Sequence, residues 1–377
     1  MKVNRKSAGL TRYREAGRKD GLLAGREQGI RLGGCAAITR ELEGKAFPRL
    51  NLKVLYVSPG VGVPYTALDQ GIVGALRGQV QEVRECSAFG NVAAEAAAWK
   101  PDLLFVLNGF NLPLGQLDEI RRGGTATAVW FVDDPYFTDW TAGLAPHYDY
   151  IFTQERNCVE LYQSLGCPNV HFLSVPADPS VYYPRKPDIS YLSDVCFIGT
   201  AFGNRLAFID QVARYLSTKN LVLSGWWWNR LKNYKLLKSK IRKDKLKRGS
   251  WLSPEETSSY YNGAKIVINL HRAAVEKKQT FNHRGIPALS VNPRTFEIAG
   301  TGAFQLSDIR EDLPQYYQDG QEIATYSTPQ ELAEKIEYYL THEEERRRAA
   351  LNGFRRTMLE HTYSDRIRTI LERITRS

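Results

Sequence analysis

From Leu52 onward, short apolar runs alternate with segments of helical character. KVLYVSP (53–59), QVQEVRE (79–85), DLLFVLN (102–108), TAVWFVD (127–133), YDYIFTQ (148–154) and NVHFLSV (169–175) are rich in Val, Phe and Tyr. The spacers, such as 65–77 and 114–121, have the length and patterning of helices. Strands of five to seven apolar residues separated by helices are what a parallel sheet covered on both faces requires. The stretch PADPSVYYPRKP (176–187) has four prolines and no periodicity, and reads as a crossover.

A second alternation follows, with strands predicted at 194–200, 221–225, 265–271, 302–308 and 322–327. Helices fit 205–216, 254–262 with Ser253 as N-cap, 295–299, and 329–340 with Thr328 as N-cap. The region from Glu343 reads as helical with a break near 361–364. The predicted class is α/β: two Rossmann-like domains facing a cleft, with a helical arm at one end and a helical tail at the other. The expected boundaries are 1–48 for the arm, 49–180 and 190–355 for the two domains, and 356–377 for the tail. Ligands of such sheets sit beyond the carboxyl ends of the strands.

The arm carries Gly17, Gly21, Gly25, Gly29 and Gly33, one at every fourth position. On a helix these form one slowly turning ridge. Each costs about 1 kcal/mol against alanine, so the ridge is expected to pack on the body or on a second copy, giving a homo-oligomer. The alternative is a frayed arm.

Charge changes the picture by its location. The net +10 resides in two places: residues 1–45 carry +6, 230–248 carry +9, and the rest sums to −5. The second block follows Trp226, Trp227 and Trp228, and its Leu231, Tyr234, Leu237 and Ile241 predict an amphipathic helix with a cationic face. Such a face suits an anionic membrane or polymer. A nucleic-acid reading rests on charge alone, because no aromatics are interleaved with the basic run. No apolar run reaches 18 residues, which predicts a soluble, cytoplasmic chain, peripheral at a membrane at most. The five cysteines form no C-x-x-C pair and read as reduced core thiols.

Candidate chemistry clusters in the second unit. IGTAFGNRLAFI (198–209) places Gly199, Thr200, Asn204 and Arg205 at a strand-to-helix turn suited to phosphate. INLHRAA (268–274) puts His271 and Arg272 at a strand end. SVNPRTFEIAGTGAFQLSD (290–308) places Asn292 and Arg294 at a helix start and Glu297 one turn later, where a carboxylate can hold ribose hydroxyls. In the first unit, WFVDDPYFTDW (130–140) offers Asp133 and Asp134 as general-base candidates. His271 is a further catalytic candidate. A competing reading gives the two aspartates a divalent metal; the two-domain alternation disfavours it.

The ordered series GTAFGNR, YYNGAKIVINLHR, SVNPRTFEIAGTGAFQLSD, YYQDGQEIATYSTPQELAEKIEYYL and EHTYSDR resembles the CgeB-like (spore maturation protein) glycosyltransferases, a GT-B fold group. The resemblance is dense over 193–368 and looser before it. It implies metal-independent sugar transfer from a nucleotide-diphosphate donor, UDP favoured, to a glycan or protein acceptor, with no cofactor. By position, Glu297 resembles the second glutamate of the E-x7-E motif of retaining members, and Leu289 stands where that motif has its first. Retaining and inverting outcomes both stay open. So does a non-catalytic nucleotide- or glycan-binding protein of the same fold.

Overall fold

The computed structural model describes residues 3–45, 47–62, 64–242, 252–274 and 281–376. A long helix, α1 (Val3–Glu41), precedes β1 (Leu50–Ser58), α2 (Tyr65–Gln79), β2 (Val80–Ser87), α3 (Val92–Trp99) and β3 (Leu103–Leu107). Then come α4 (Leu114–Arg122), β4 (Ala126–Phe131), α5 (Thr138–Leu144), β5 (Tyr150–Thr153), α6 (Asn157–Ser164) and β6 (Val170–Phe172). The second unit runs β7 (Ser193–Ile198), α7 (Gly203–Ser217), β8 (Leu221–Ser224), α8 (Tyr234–Leu237), β9 (Ile241–Arg242), α9 (Pro254–Gly263) and β10 (Ala264–Asn269). It continues with α10 (Arg294–Gly300), β11 (Gln305–Asp308), β12 (Ala324–Tyr326), α11 (Pro329–Thr341), α12 (Glu343–Glu360) and α13 (Tyr363–Thr375).

Each unit builds one six-stranded parallel sheet, in the orders β2-β1-β3-β4-β5-β6 and β12-β11-β10-β7-β8-β9. Every interior strand is buried on both faces because alternate side chains enter different cores. In β1, Val54 and Tyr56 join one cluster, with Ile72 of α2. Leu55 and Val57 join the other, with Val92 of α3. In the second sheet Val195 and Phe197 face α7 and α11, while Cys196 and Ile198 face α9 and α10. The order reverses between β1 and β3, and again between β7 and β10. The second reversal brings Gly199 and His271 to the same edge.

The last two helices part company. Helix α12 packs on α1 and α10, whereas α13 returns to the first unit and lies on α2. There Ile367, Ile370 and Leu371 are fully buried, each contributing roughly 2 kcal/mol of apolar burial.

Helix α1 docks on the second unit, but not through its glycines. Arg31 donates to the Thr301 carbonyl at 2.7 Å and to Asn262 Oδ1 at 3.1 Å. Cys35 and Ile38 pack with Phe354, and Glu27 pairs with Arg346. Gly17, Gly21, Gly25, Gly29 and Gly33 are exposed, and a Cβ at any of them would meet nothing within 4 Å among the described residues. The expectation that the ridge packs on the body is therefore corrected: the docked face lies to one side of it.

The basic segment is not one amphipathic helix over 230–242. After the buried Trp228, the main-chain amides of Lys232 and Asn233 donate to the Asp210 carboxylate at 3.0 and 2.8 Å, ending one turn before α8 begins. Four residues later the chain straightens into β9, where Ile241 pairs with Leu223. Residues 243–248 of this segment lie outside the described residues.

Candidate active site

The carboxyl ends of the two sheets face a cleft of about 480 Å³ lined from both units. On the second unit, β7 is followed by Gly199, whose amide donates to Ser224 O at 2.8 Å. Gly225, at φ +129°, crosses so close that a Cβ there would lie 2.1 Å from Gly199 O. Only glycine fits this crossing. A Cβ at Gly199 itself would meet Arg205 Nη1 at 3.0 Å and the Arg294 guanidinium at 3.5 Å. The bare strand end thus lets two like charges converge.

Arg205 is 2% exposed. Its Nε donates to Leu270 O at 2.7 Å and Nη1 to Thr200 O at 2.9 Å. Burial first, and then Arg294, pull its guanidinium down to about 9. Arg294 has no ion-pair partner among the described residues. Arg272 stacks between the rings of Tyr136 and Phe202, at 4.3 and 4.1 Å. Arg310, which sequence reasoning did not single out, donates to Arg272 O at 3.0 Å. Thr200 lines the cleft, and Asn204 Nδ2 donates to His271 O at 2.8 Å.

His271 is 2% exposed, with Nδ1 2.5 Å from Asp308 Oδ1 and its own main-chain amide donating to the same oxygen at 2.9 Å. Burial pushes the imidazole down; Asp308 opposes this, and Arg310 and Arg205 add to it. Burial raises the Asp308 carboxyl, but His271 and Arg310 outweigh it and hold it below the usual range. Asp308 was not among the sequence candidates. Its signal was available, as the last residue of the strand next to β10.

Glu297 lies half-buried on the cleft side of α10. Burial raises its carboxyl to about 7 against the pull of Arg294 and a hydrogen bond from Tyr182. Asn292 is placed differently from expectation. Its amide donates to Asn269 Oδ1 at 2.9 Å, and its side-chain oxygen accepts from the Thr295 amide at 3.3 Å. The next two amides, of Phe296 and Glu297, donate to Pro293 O at 3.0 Å each. The first amides of α10 are thus already engaged within the turn.

The two aspartates after β4 point apart. Asp133 lines the cleft, with Oδ2 accepting from Tyr65 and Asn108 at 2.7 Å each; burial raises its carboxyl despite these donors. Asp134 turns into the first unit, accepting from Thr141 at 3.2 Å and from Thr153 and Tyr162 at 2.7 Å each. At 1% exposure its carboxyl is pushed up to about 6. Its place among catalytic candidates is corrected to an internal brace, because both oxygens are committed to hydroxyls. Glu155, missed from sequence, spans the cleft: Oε2 accepts from the amides of Leu289 and Ser290 at 3.1 Å each.

Two facing Rossmann-like sheets match the fold of known proteins. A family model described as "Glycosyl transferase-like" matches residues 205–372. The spore protein CgeB of Bacillus subtilis (strain 168) is 28% identical over 319 residues, covering 83% of this chain and 96% of that protein. The chain is thus similar to CgeB and, over its second unit, to glycosyl transferase-like proteins. Among solved structures, Anabaena HepE in complex with UDP-glucose superposes with a TM-score of 0.61 at 10% identity, covering 87% of this chain and 100% of that one. Sucrose-phosphate synthase from Thermosynechococcus elongatus gives 0.58 at 10% identity, over 86% and 99%. At that identity the likeness concerns fold, and it is the GT-B fold of this CgeB-like chain. No helix among the described residues is long and apolar enough to cross a membrane.

Proposed function

We propose that this chain transfers a sugar from a UDP-sugar to a hydroxyl of a glycan or protein acceptor, without a metal. The observation carrying this reading is the convergence of Arg205, Arg272 and Arg294 on the β7–β10 reversal, with Glu297 one turn away. A buried cationic group of this kind favours a bound polyanion. Arg294 grips the diphosphate, Arg205 and Arg272 supply field from behind, and Glu297 accepts from the ribose hydroxyls. That a protein of the same fold, HepE, was solved with UDP-glucose supports uridine as the base. Thr200 and Asn204 shape the turn around the diphosphate.

As the sugar–phosphate bond breaks, charge builds on the departing diphosphate, where fixed positive groups act without reorganising. The acceptor approaches from the first unit. Asp133 takes its hydroxyl proton: it lines the cleft, and the Tyr65 and Asn108 hydrogen bonds both fall on one of its two oxygens. Any contact of 230–248 with an anionic membrane or polymer would place the enzyme near its acceptor.

A thermal-shift screen of UDP, GDP and TDP tests the donor. UDP is expected to stabilise the chain most, by about 2.7 kcal/mol at a hundredfold excess over Kd. Hydrolysis of UDP-glucose should persist in chelator and fall on Glu297→Ala. Absence of any nucleotide shift would remove the reading; binding without turnover would favour a non-catalytic binding protein.

A further inference from the structure

Resting on the nucleotide-diphosphate reading, we propose that His271, oriented by Asp308, is a proton-linked ligand of the diphosphate: neutral before the anion binds, it takes up one proton as phosphate oxygens settle against Nε2.

Asp308 engages Nδ1 at 2.5 Å and so fixes the hydrogen there, as carboxylate partners of histidines do. The remaining nitrogen, Nε2, then carries a lone pair. It is buried without a hydrogen-bond partner among the described residues, on a residue that lines the cleft. Buried polar atoms are nearly always paired, and one left open beside a cleft marks a ligand contact.

The surroundings decide which ligand. The groups acting on His271 are Asp308 and Arg310 from the end of β11 and Arg205 from α7. Arg272 follows it on its own strand end, and Tyr136 of the first unit donates to Arg272 O at 3.4 Å. The cations outnumber the one carboxylate. Burial keeps the imidazole neutral against Asp308, and the field of Arg310 and Arg205 adds to it. A bound diphosphate reverses that field. One added negative charge about 4 Å away, screened as at a partly wet site, favours the imidazolium by on the order of a thousandfold. With Nδ1–H held by Asp308, the new hydrogen sits on Nε2 and becomes a charge-assisted donor to the phosphate. The ligand class is therefore a di- or polyphosphate, and no covalent step is involved.

Titration calorimetry of the full chain with UDP at pH 7.5, in buffers of different ionisation enthalpy, counts the protons taken up. The wild type is expected to take up between half and one proton more than His271→Gln. The variant should bind UDP about tenfold more weakly at pH 6.5 and converge on the wild type by pH 9. Asp308→Asn should displace the wild-type pH profile of Kd toward lower pH. Nitrogen NMR of the histidine-labelled wild type supplies a readout that needs no variant. His271 should show the Nδ1–H tautomer alone and the doubly protonated form with UDP or inorganic pyrophosphate. Equal proton counts in wild type and His271→Gln, or an Nε2–H tautomer in the free chain, overturns the proposal and leaves the donor reading intact. Pyrophosphate protonating His271 while UDP fails to bind overturns the nucleotide reading and leaves the dyad assignment standing. No response of His271 to either anion overturns the proposal.

Discussion

The two sheets follow closely related strand orders, yet their carboxyl ends carry opposite chemistry. The first ends in Asp133, Asp134 and Glu155, each held by hydroxyl or amide donors. The second ends in Arg205, Arg272, Arg294 and Arg310 around His271. Among the described residues no arginine or lysine ion pair joins the two rows. They meet instead through neutral contacts, such as Tyr136 to Arg272 O, or through amides, as at Glu155. Direct pairing would cancel both sets. Held apart by a cleft, one row can take a proton from a hydroxyl while the other receives a leaving anion. The fold supplies two similar edges, and the side chains make them a carboxylate edge and an arginine edge.

That contrast can be broken from either side. The largest effect is expected from Asp133→Asn, which should lower transfer by about 10²–10⁴-fold while UDP affinity, read by calorimetry, stays unchanged. Equal losses of both would place Asp133 with the donor. Arg294→Ala should do the reverse, weakening UDP by roughly 10–100-fold through the loss of a charged hydrogen bond. Gly225→Ala strikes the second sheet alone. With its Cβ driven into Gly199 O, it should cost about 4 kcal/mol or more in chemical denaturation.

A pH experiment sharpens the comparison further. Asp134 is raised to about 6 in the fold from an ordinary 3.8. The native chain therefore holds this proton more tightly than the unfolded chain, and the stability it contributes is full below about pH 4 and fades as pH rises through 6. The change is on the order of 3 kcal/mol. Asp134→Asn should flatten that part of the stability curve; an unchanged slope between pH 4 and 7 would contradict the buried brace. The smallest effect belongs to the arm. Gly25→Ala and Gly29→Ala face open space and should raise stability by up to about 1 kcal/mol each. A loss, or a change in sedimenting mass, would restore a packed or self-associating ridge.

Of the twelve strands among the described residues, eleven were legible in the sequence, most of them because buried parallel strands are continuous apolar runs, and the switch-point residues followed from their ends. The missing strand, β9, is two residues long and leaves no periodic trace. Asp133 and Asp134 could not be separated from sequence, since neighbours at a strand end face opposite ways and only the tertiary partners say which way is in. Asp308 reaches His271 across 37 residues through strand pairing, a relation no local spacing carries. The glycine period correctly implied a shared face on a helix, but a period says nothing about which face is covered. The basic run kept a helical spacing of apolar residues, yet Asp210, twenty-two residues upstream, takes the Lys232 amide.

The return of α13 to the first unit has a consequence for biosynthesis. Ile367, Ile370 and Leu371 fill the face that β1, β3 and α2 leave open, so the first unit stays unsealed until the entire second unit has emerged from the ribosome. During that interval its apolar face is exposed and open to capture by a chaperone or by another nascent chain. A split of the gene between the two units would part the first unit from α13 and the second from α1.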